Sequence, residues 1–455
     1  MPQTSVLVGR TYHIKTFGCQ MNLHDSERVA GLLDSCGCIM SSSAEDADIV
    51  VFMTCCVREK ADTRLYGQVS SMSSLVDPPS GRRIVCVGGC IAQRDGERLR
   101  EKLSNVDVVF GTSALAQLPG LIEQALEGDG SYAVLDVEEE GRGFASELPS
   151  HREHSYHAWV PIMRGCNNFC TFCIVPHVRG REQSRDFDEI VYETNKLVED
   201  GVREICLLGQ NVNSYGRDRY GAPRFAELLR AVGSTGIERI RFTSSHPKDL
   251  SDETIAAMAE TEAVMPQLHL AVQSGSTRVL KAMGRRYSRE DYLNLVSRIR
   301  AAMPNIFLST DIIVGFPGEQ EEDFEQTLSL VKEVDYASAF TFIYSKREGT
   351  PAALLEDNTP SEVIHERFDR LAKLVEDLAF KANQPFANQR VEVLVEGLSK
   401  REGRILTGHS PYNQTVHFEC PSAYEPQKLI GSMVDVEVEQ ARTWYLRGSM
   451  TGEPR

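Results

Sequence analysis

Short apolar runs alternate with amphipathic segments along most of this chain, and that alternation limits its fold more than any single residue does. Tyr12 to Phe17, Asp48 to Met53 and Arg83 to Val87 read as strands. Helical segments follow from about Asp25 to Leu33, from about Arg58 and from about Ile91. Strands apolar at consecutive positions suit a sheet covered on both faces, so the pattern predicts a parallel α/β domain. From Ala158 the alternation resumes, with strands near 158–163, 203–208, 239–243, 267–272, 307–314 and 339–343. Helices are expected near 187–200, 224–232, 251–260, 289–302, 321–333 and 361–383. Six such units in one domain predict an open, partial (β/α)6 barrel. After Pro385 the character changes. Arg390 to Val395, Thr415 to Phe418 and Met433 to Val438 are short β-type runs, with Gly397, Gly403 and Gly431 between them, which predicts a small antiparallel β-barrel. Residues 128–156 are poor in periodicity and rich in Gly, Ser and Glu, and read as a linker. The expected divisions are therefore 11–127, 128–156, 157–384 and 385–450.

In parallel α/β sheets and barrels the reactive groups gather where strands end. Cys19, Cys55 and Cys90 each stand just past a strand end, so residues distant in sequence can converge on one three-thiol site. Cys56 is the rival of Cys55 for that role. Cys166, Cys170 and Cys173 form a second set at C-x3-C-x2-C spacing, directly after the strand at 158–163. Most cubane iron–sulfur clusters take four thiolates. Three leave one iron open, and an open iron can bind a substrate. A zinc site would want a further Cys or His pair, which His177 alone does not supply. Cys36, Cys38, Cys86, Cys206 and Cys420 read as small buried hydrophobes. The barrel strands end in polar or Gly-containing clusters: Gly209-Gln210-Asn211, Ser244-Ser245-His246-Pro247, Gln273-Ser274-Gly275, Gly315 to Glu319, and Tyr344-Ser345.

Bulk properties bound the partners. A chain of 455 residues holds two or three domains, and twelve cysteines without a secretory signal point to a reducing compartment. No apolar run approaches the roughly 20 residues of a membrane span, so a soluble, cytoplasmic protein without a membrane partner is expected. The net charge of −16 is unlike the basic footprint of most nucleic-acid binders. RNA contact would need local patches. One candidate is Arg164, Arg179, Arg181 and Arg185, opposed by Glu182; another is Arg404, Tyr412, Arg442, Trp444, Tyr445 and Arg447 in the tail.

The thiol run, with an aromatic before its third Cys, resembles the radical S-adenosylmethionine (SAM) enzymes. From about Thr11 onward the chain resembles the methylthiotransferases in Thr16-Phe17-Gly18-Cys19-Gln20-Met21-Asn22, in Gly165 to Pro176, in Arg179-Gly180-Arg181-Glu182 and in Phe242 to Pro247. Val314 to Glu319 and Tyr344 to Pro351 extend the match. One departure is Met53, where the family's second cysteine motif usually has Asn. The resemblance implies an N-terminal cluster domain, a radical SAM barrel and a C-terminal TRAM barrel. It implies two 4Fe–4S clusters, one on Cys166, Cys170 and Cys173, the other, a sulfur carrier, on Cys19, Cys55 and Cys90. SAM, two per turnover, would be held by Phe172, Gly209, Gln210, Asn211, Gln273 and Ser274. The implied substrate is tRNA carrying N6-isopentenyladenosine, whose C2–H is neither acidic nor activated and yields to a radical rather than a base. Implied partners are an electron donor such as flavodoxin or ferredoxin, and a sulfur donor. His246 could touch substrate, although a lone His before Pro is more often structural. Relatives acting on a ribosomal-protein aspartate or on threonylcarbamoyl adenosine are alternatives that the central motifs fit less well. An iron–sulfur electron carrier or structural zinc protein would need no polar barrel edge.

Overall fold

The computed structural model describes residues 5–56, 59–128, 132–135, 144, 148–399 and 403–455. They divide into two compact units. The first comprises residues 1–153, 159–167 and 173–185, and the second residues 154–158, 168–172 and 186–455.

The first unit is built on a six-stranded parallel sheet. Its strands are β1 (Thr11–Thr16), β2 (Ile39–Met40), β3 (Ile49–Thr54), β4 (Ile84–Gly89), β5 (Val108–Phe110) and β6 (Tyr132–Val134), in the order β2-β1-β3-β4-β5-β6. Every residue of β3 and β4 is buried, as consecutive apolar residues require. Alternate side chains feed two apolar layers. Ile49, Val51 and Met53 join Val29, Leu33 and Ile122 on one face. Val50 and Phe52 join Leu65, Val69 and Ile91 on the other. The helix after β1, Gln20–Ser35, thus packs on one face and the helix after β3, Glu59–Met72, on the other. Chain direction across the sheet therefore switches between β1 and β3, which opens a crevice at their C-terminal ends. The stretch read as a linker, 128–156, contributes the edge strand β6. Its three residues are too few to show a period, and its pairing with β5 makes the strand.

Strand β7 (His157–Pro161) straddles the division between the units, and a short ladder of β8 (Met163–Arg164) and β9 (Gln183–Ser184) belongs to the first. In the second unit β10 (Glu204–Leu208) and β11 (Arg239–Phe242) pair in parallel. So do β12 (Gln267–His269), β13 (Phe307–Val314) and β14 (Ser338–Ile343). Isolated bridges Ile240–Val264 and Ser245–Leu270 carry the pairing from β11 to β12, giving an open arc. Helices Phe187–Glu199, Asp252–Glu260 and Arg289–Ala302 start on side-chain caps from Asp186, Ser251 and Ser288. An added short helix, Thr277–Ala282, follows the Gln273 turn.

The tail closes into a barrel of β15 (Arg390–Leu398), β16 (Ile405–His409), β17 (Thr415–Glu419), β18 (Met433–Ala441) and β19 (Leu446–Thr451), ordered β15-β16-β17-β19-β18. It differs from the expected antiparallel barrel in one pair: β17 and β19 run parallel. Strands β16 and β19 escape a reading of β-branched runs because each carries a central glycine. A Cβ at Gly408 would collide with the Leu394 carbonyl, and one at Gly448 with that of Glu437, so both glycines are close-approach points inside the barrel. The barrel docks on the N-terminal ends of the arc's strands. Arg239 donates to the His409 carbonyl and pairs with Glu392, and Arg241 donates to the carbonyls of Ser410 and Pro411 while pairing with Glu204 at 2.8 Å. Phe307 meets Phe386 edge-on and Tyr412 at a tilt beside them. The polar turns at the strand C-terminal ends lie at the opposite edge.

Candidate functional site

Two thiol-bearing regions stand out. In the first unit Cys19 begins the helix after β1, Cys55 and Cys56 follow β3, and Cys90 begins the helix after β4. Strands β1, β3 and β4 are neighbours, so these ends meet at the switch crevice. The Cys55 thiol donates to Cys19, and the Cys56 thiol to Cys90. Those hydrogen bonds, aided by the Arg179 charge and opposed by burial, lower the Cys19 pKa to about 6 and that of Cys90 to about 7. Bonding to Cys90, with burial, pushes Cys56 up instead. A Cβ at Gly18 would collide with the Cys55 side chain, so the loop before Cys19 approaches as closely as a backbone can. Asn22, fully buried, donates from Nδ2 to the carbonyls of Phe17 and Thr54 and ties the first two loops together. The expected triad of Cys19, Cys55 and Cys90 is thus brought together, and Cys56 with it. Two acidified thiols with two further cysteines beside them at one crevice suit an iron–sulfur cluster. Among the described residues no group of three or more His, Cys, Asp or Glu is spaced to hold a metal ion.

The remaining cysteines divide as expected, with one correction. Cys38, Cys86, Cys206 and Cys420 are buried, and burial raises their pKa values, so they are apolar fillers. Cys36 is only partly buried, because it caps the C-terminal end of the Gln20–Ser35 helix. The arginine patch is corrected more fully. Arg179, only 8 % exposed, pairs with Asp25, and buried Arg185 donates to the Pro161 carbonyl. Arg164 is half-buried on Gln183, which leaves Arg181 as the one exposed member of the four. The basic cluster in sequence was an internal framework.

Around the second set, Cys166 donates its backbone N–H to the Gly180 carbonyl, and Asn167 donates to Glu182. Cys173 is partly buried. In the second unit, Cys170 lies 3.6 Å from the Nη1 of Arg285. Arg285 is a neighbour of the expected ligand Cys170 that spacing arguments missed. Its only signal was a charged pair, Arg285-Arg286, directly after a glycine.

At the C-terminal edge of the arc, Asn211 is buried and donates from Nδ2 to Asp249, while its Oδ1 and the Oε1 of Gln210 are buried without a hydrogen-bond partner. Two orphaned acceptors beside Gly209 suit the ammonium and hydroxyl donors of SAM. Gln273 adopts φ 72° as its backbone bridges to Ile312 and turns Ser274 toward Thr327. Phe172 packs against the apolar cluster of Val279, Met283 and Phe316. Burial, with the charges of Arg285 and Lys248, lowers the His246 pKa to about 2, so its imidazole is neutral. Its Nδ1 accepts from the Lys248 backbone and caps the following turn, a structural role. The tail candidates also divide. Tyr412 is occupied by Phe307 and Phe386, and Arg404 by the carbonyls of Cys420 and Pro421. Arg442, Trp444, Tyr445 and Arg447 are exposed together around the β18–β19 turn.

Comparison with known proteins agrees with this layout. Residues 160–331 match the Radical SAM superfamily, residues 11–111 the uncharacterized protein family UPF0004, and residues 386–451 the TRAM domain. The chain is similar to two solved structures of TsrM, a radical S-adenosylmethionine methyltransferase of Kitasatospora setae. One, with cobalamin and a [4Fe-4S] cluster bound, gives a TM-score of 0.55 at 14% identity over 76% of this chain and 74% of that one, a likeness of fold. It is 50% identical over 436 residues to the tRNA-2-methylthio-N(6)-dimethylallyladenosine synthase of Acidothermus cellulolyticus, covering 95% of this chain and 86% of that protein. With the synthase of the same name from Clostridium novyi, identity is 46% over 452 residues and coverage 98% of both chains. At that identity across nearly the whole length, the chain belongs to the family of tRNA-2-methylthio-N(6)-dimethylallyladenosine synthases.

Proposed function

We propose that the protein is a transferase that adds sulfur and a methyl group at C2 of N6-isopentenyladenosine in tRNA, using iron–sulfur and SAM chemistry. The observation that carries this reading is near-full-length identity to synthases of that name, together with the acidified thiols at the switch crevice. Cys166, Cys170 and Cys173 would hold a 4Fe–4S cluster with one open iron, and Cys19, Cys55 and Cys90 a second cluster. When bound, the first supplies reductive cleavage of SAM to a hydrogen-abstracting radical, and the second supplies the sulfur. Hydrogen bonds from Cys55 and Cys56, aided by the Arg179 charge, lower the pKa values of the Cys19 and Cys90 thiols. Gln210 and Asn211 offer acceptors to SAM, Gln273 and Ser274 shape the adjoining turn, and Phe172 presents an apolar wall. Arg442, Trp444, Tyr445 and Arg447 would contact the RNA, by phosphate pairing and base stacking. An electron donor of flavodoxin or ferredoxin type and a separate sulfur donor complete the requirement.

The test is mass spectrometry of tRNA nucleosides from cells lacking this protein. The methylthio nucleoside is expected to vanish and its N6-isopentenyladenosine precursor to accumulate. An unchanged nucleoside profile would refute the reading.

A further inference from the structure

One buried cation touches the N-terminal thiol site and is followed directly by Gly180, whose carbonyl holds the loop that carries Cys166. Arg179 ends the short helix Val175–Arg179, whose Ile174 and Val178 sink into the apolar layer formed by Val87, Ile91 and Val109. The Thr112 hydroxyl donates to the Val178 carbonyl and anchors the helix to the sheet. From there the guanidinium donates to Asn22 Oδ1 at 2.9 Å and Asp25 Oδ2 at 3.2 Å, and also meets the Cys90 sulfur. Asp25 is itself braced by His24, and Asn22 holds the carbonyls of Phe17 and Thr54 on the loops before Cys19 and Cys55. The next residue, Gly180, accepts from the backbone N–H of Cys166, and Glu182 exchanges hydrogen bonds with Asn167. One strap of eight residues, 175–182, therefore fixes both cysteine loops of the first unit at once.

Burying a guanidinium is costly unless charge and hydrogen bonds compensate it. Asp25 alone would neutralise this one. Its further bond to Cys90 puts a fixed positive charge on the thiol site, where an outer-shell donor tunes what the ligand atoms bind.

We propose that Arg179 is a positioning residue for sulfur transfer: it holds the N-terminal thiol site in register with the Cys166 loop and lends it a positive charge. This rests on the proposed function, and its test separates the two. The full chain is prepared anaerobically with iron and sulfide as wild type, Arg179→Met, Arg179→Lys and Asp25→Asn. Iron content, the reduction potential of the N-terminal cluster (measured with Cys166, Cys170 and Cys173 also replaced by Ala) and the ratio of 5′-deoxyadenosine to methylthiolated nucleoside are read. Loss of the cation is expected to move the potential to a more negative value and to raise the ratio about tenfold in Arg179→Met. Arg179→Lys, which keeps charge without the fork, is expected to restore the potential more than the ratio. Asp25→Asn, which keeps Arg179 but loosens it, is expected to raise the ratio alone. Unchanged potential and ratio in iron-replete Arg179→Met would overturn the proposal. So would iron loss in Arg179→Met if Arg179→Lys and Asp25→Asn both kept wild-type potential and ratio, since Arg179 would then serve folding only. The potential is measured without tRNA, so a wild-type protein that makes no methylthio nucleoside counts against the function and not against the charge.

Discussion

Arg285 points its Nη1 at the Sγ of Cys170, 3.6 Å away, while its Nη2 is held by the Ala271 carbonyl and its Nε by the Tyr287 hydroxyl. Burial disfavours the charge, but Tyr287 and Cys170 raise the Arg285 pKa, so the cation is permanent. Arg285→Met is expected to slow SAM cleavage about tenfold and make the cluster harder to reduce, with Arg285→Lys recovering part of the rate. The measurements are 5′-deoxyadenosine formation under excess reductant and a potentiometric titration. Full-rate cleavage in iron-replete Arg285→Met would remove Arg285 from the site.

The two thiol sets are expected to be separable. After anaerobic reconstitution the wild type is expected to hold about eight iron and eight sulfide per chain, falling to about four when either triad is replaced by Ala. The Cys19, Cys55, Cys90 variant still makes 5′-deoxyadenosine but no methylthio nucleoside; the Cys166, Cys170, Cys173 variant makes neither. Any single replacement within a triad costs nearly as much product as all three. Cys56→Ala keeps most activity, because Cys55 is the first residue past the end of β3 and so the strand-end ligand. Retained activity in Cys55→Ala with loss in Cys56→Ala would reverse that assignment.

Removing the C-terminal barrel would strip Arg239, Arg241 and Phe307 of their cover, so deletion confounds RNA binding with folding. Replacing Arg442 and Arg447 by Ala, with Trp444→Ala as a separate variant because it lines the cleft beside Phe307 and Tyr412, leaves the Arg239 and Arg241 contacts in place. Weaker tRNA affinity is expected, with the slope of log affinity against log salt reduced by about one per lost phosphate contact. Thermal unfolding of each variant controls for damage. Equal affinity at several salt concentrations would place RNA elsewhere.

Glu319 is buried, accepts from the Gly315 backbone and lies 3.7 Å from Arg367; burial raises its pKa from 4.5 to about 7. A raised carboxyl favours the folded state when protonated. That contribution is complete below pH 4.5 and lost as pH rises through about 7. Glu319→Gln is expected to flatten the stability decline across that window, by at most about 3 kcal/mol, in denaturant titrations at fixed pH. Glu27, raised to about 7 by burial, adds a similar slope that remains in the variant. An identical decline in Glu319→Gln would mean that the Glu319 carboxylate is already ionised across the window.

Strands β3 and β4 and the long helices of the second unit were legible because one local signal dictates each. Consecutive apolar residues specify a strand buried on both faces, and a 3.6-residue period specifies a helix packed on one. Helix Arg289–Ala302 falls where its period and its Ser288 cap put it. The nearness of Cys19, Cys55 and Cys90 was legible for the same reason, since a thiol placed just past a strand end inherits its position from the strand. Tertiary structure alone decided the rest. Strands β6 and β19 exist because a neighbour pairs with them, and no local pattern encodes a partner. Arginine looks the same in sequence whether it meets phosphate or carboxylate. Only the fold brings Asp25 to Arg179, 154 residues away, and Cys170 to Arg285, 115 residues away, turning an apparent RNA patch and an unremarked pair into buried cations beside thiols. Charge specifies what a side chain can bind; long-range packing specifies what it meets.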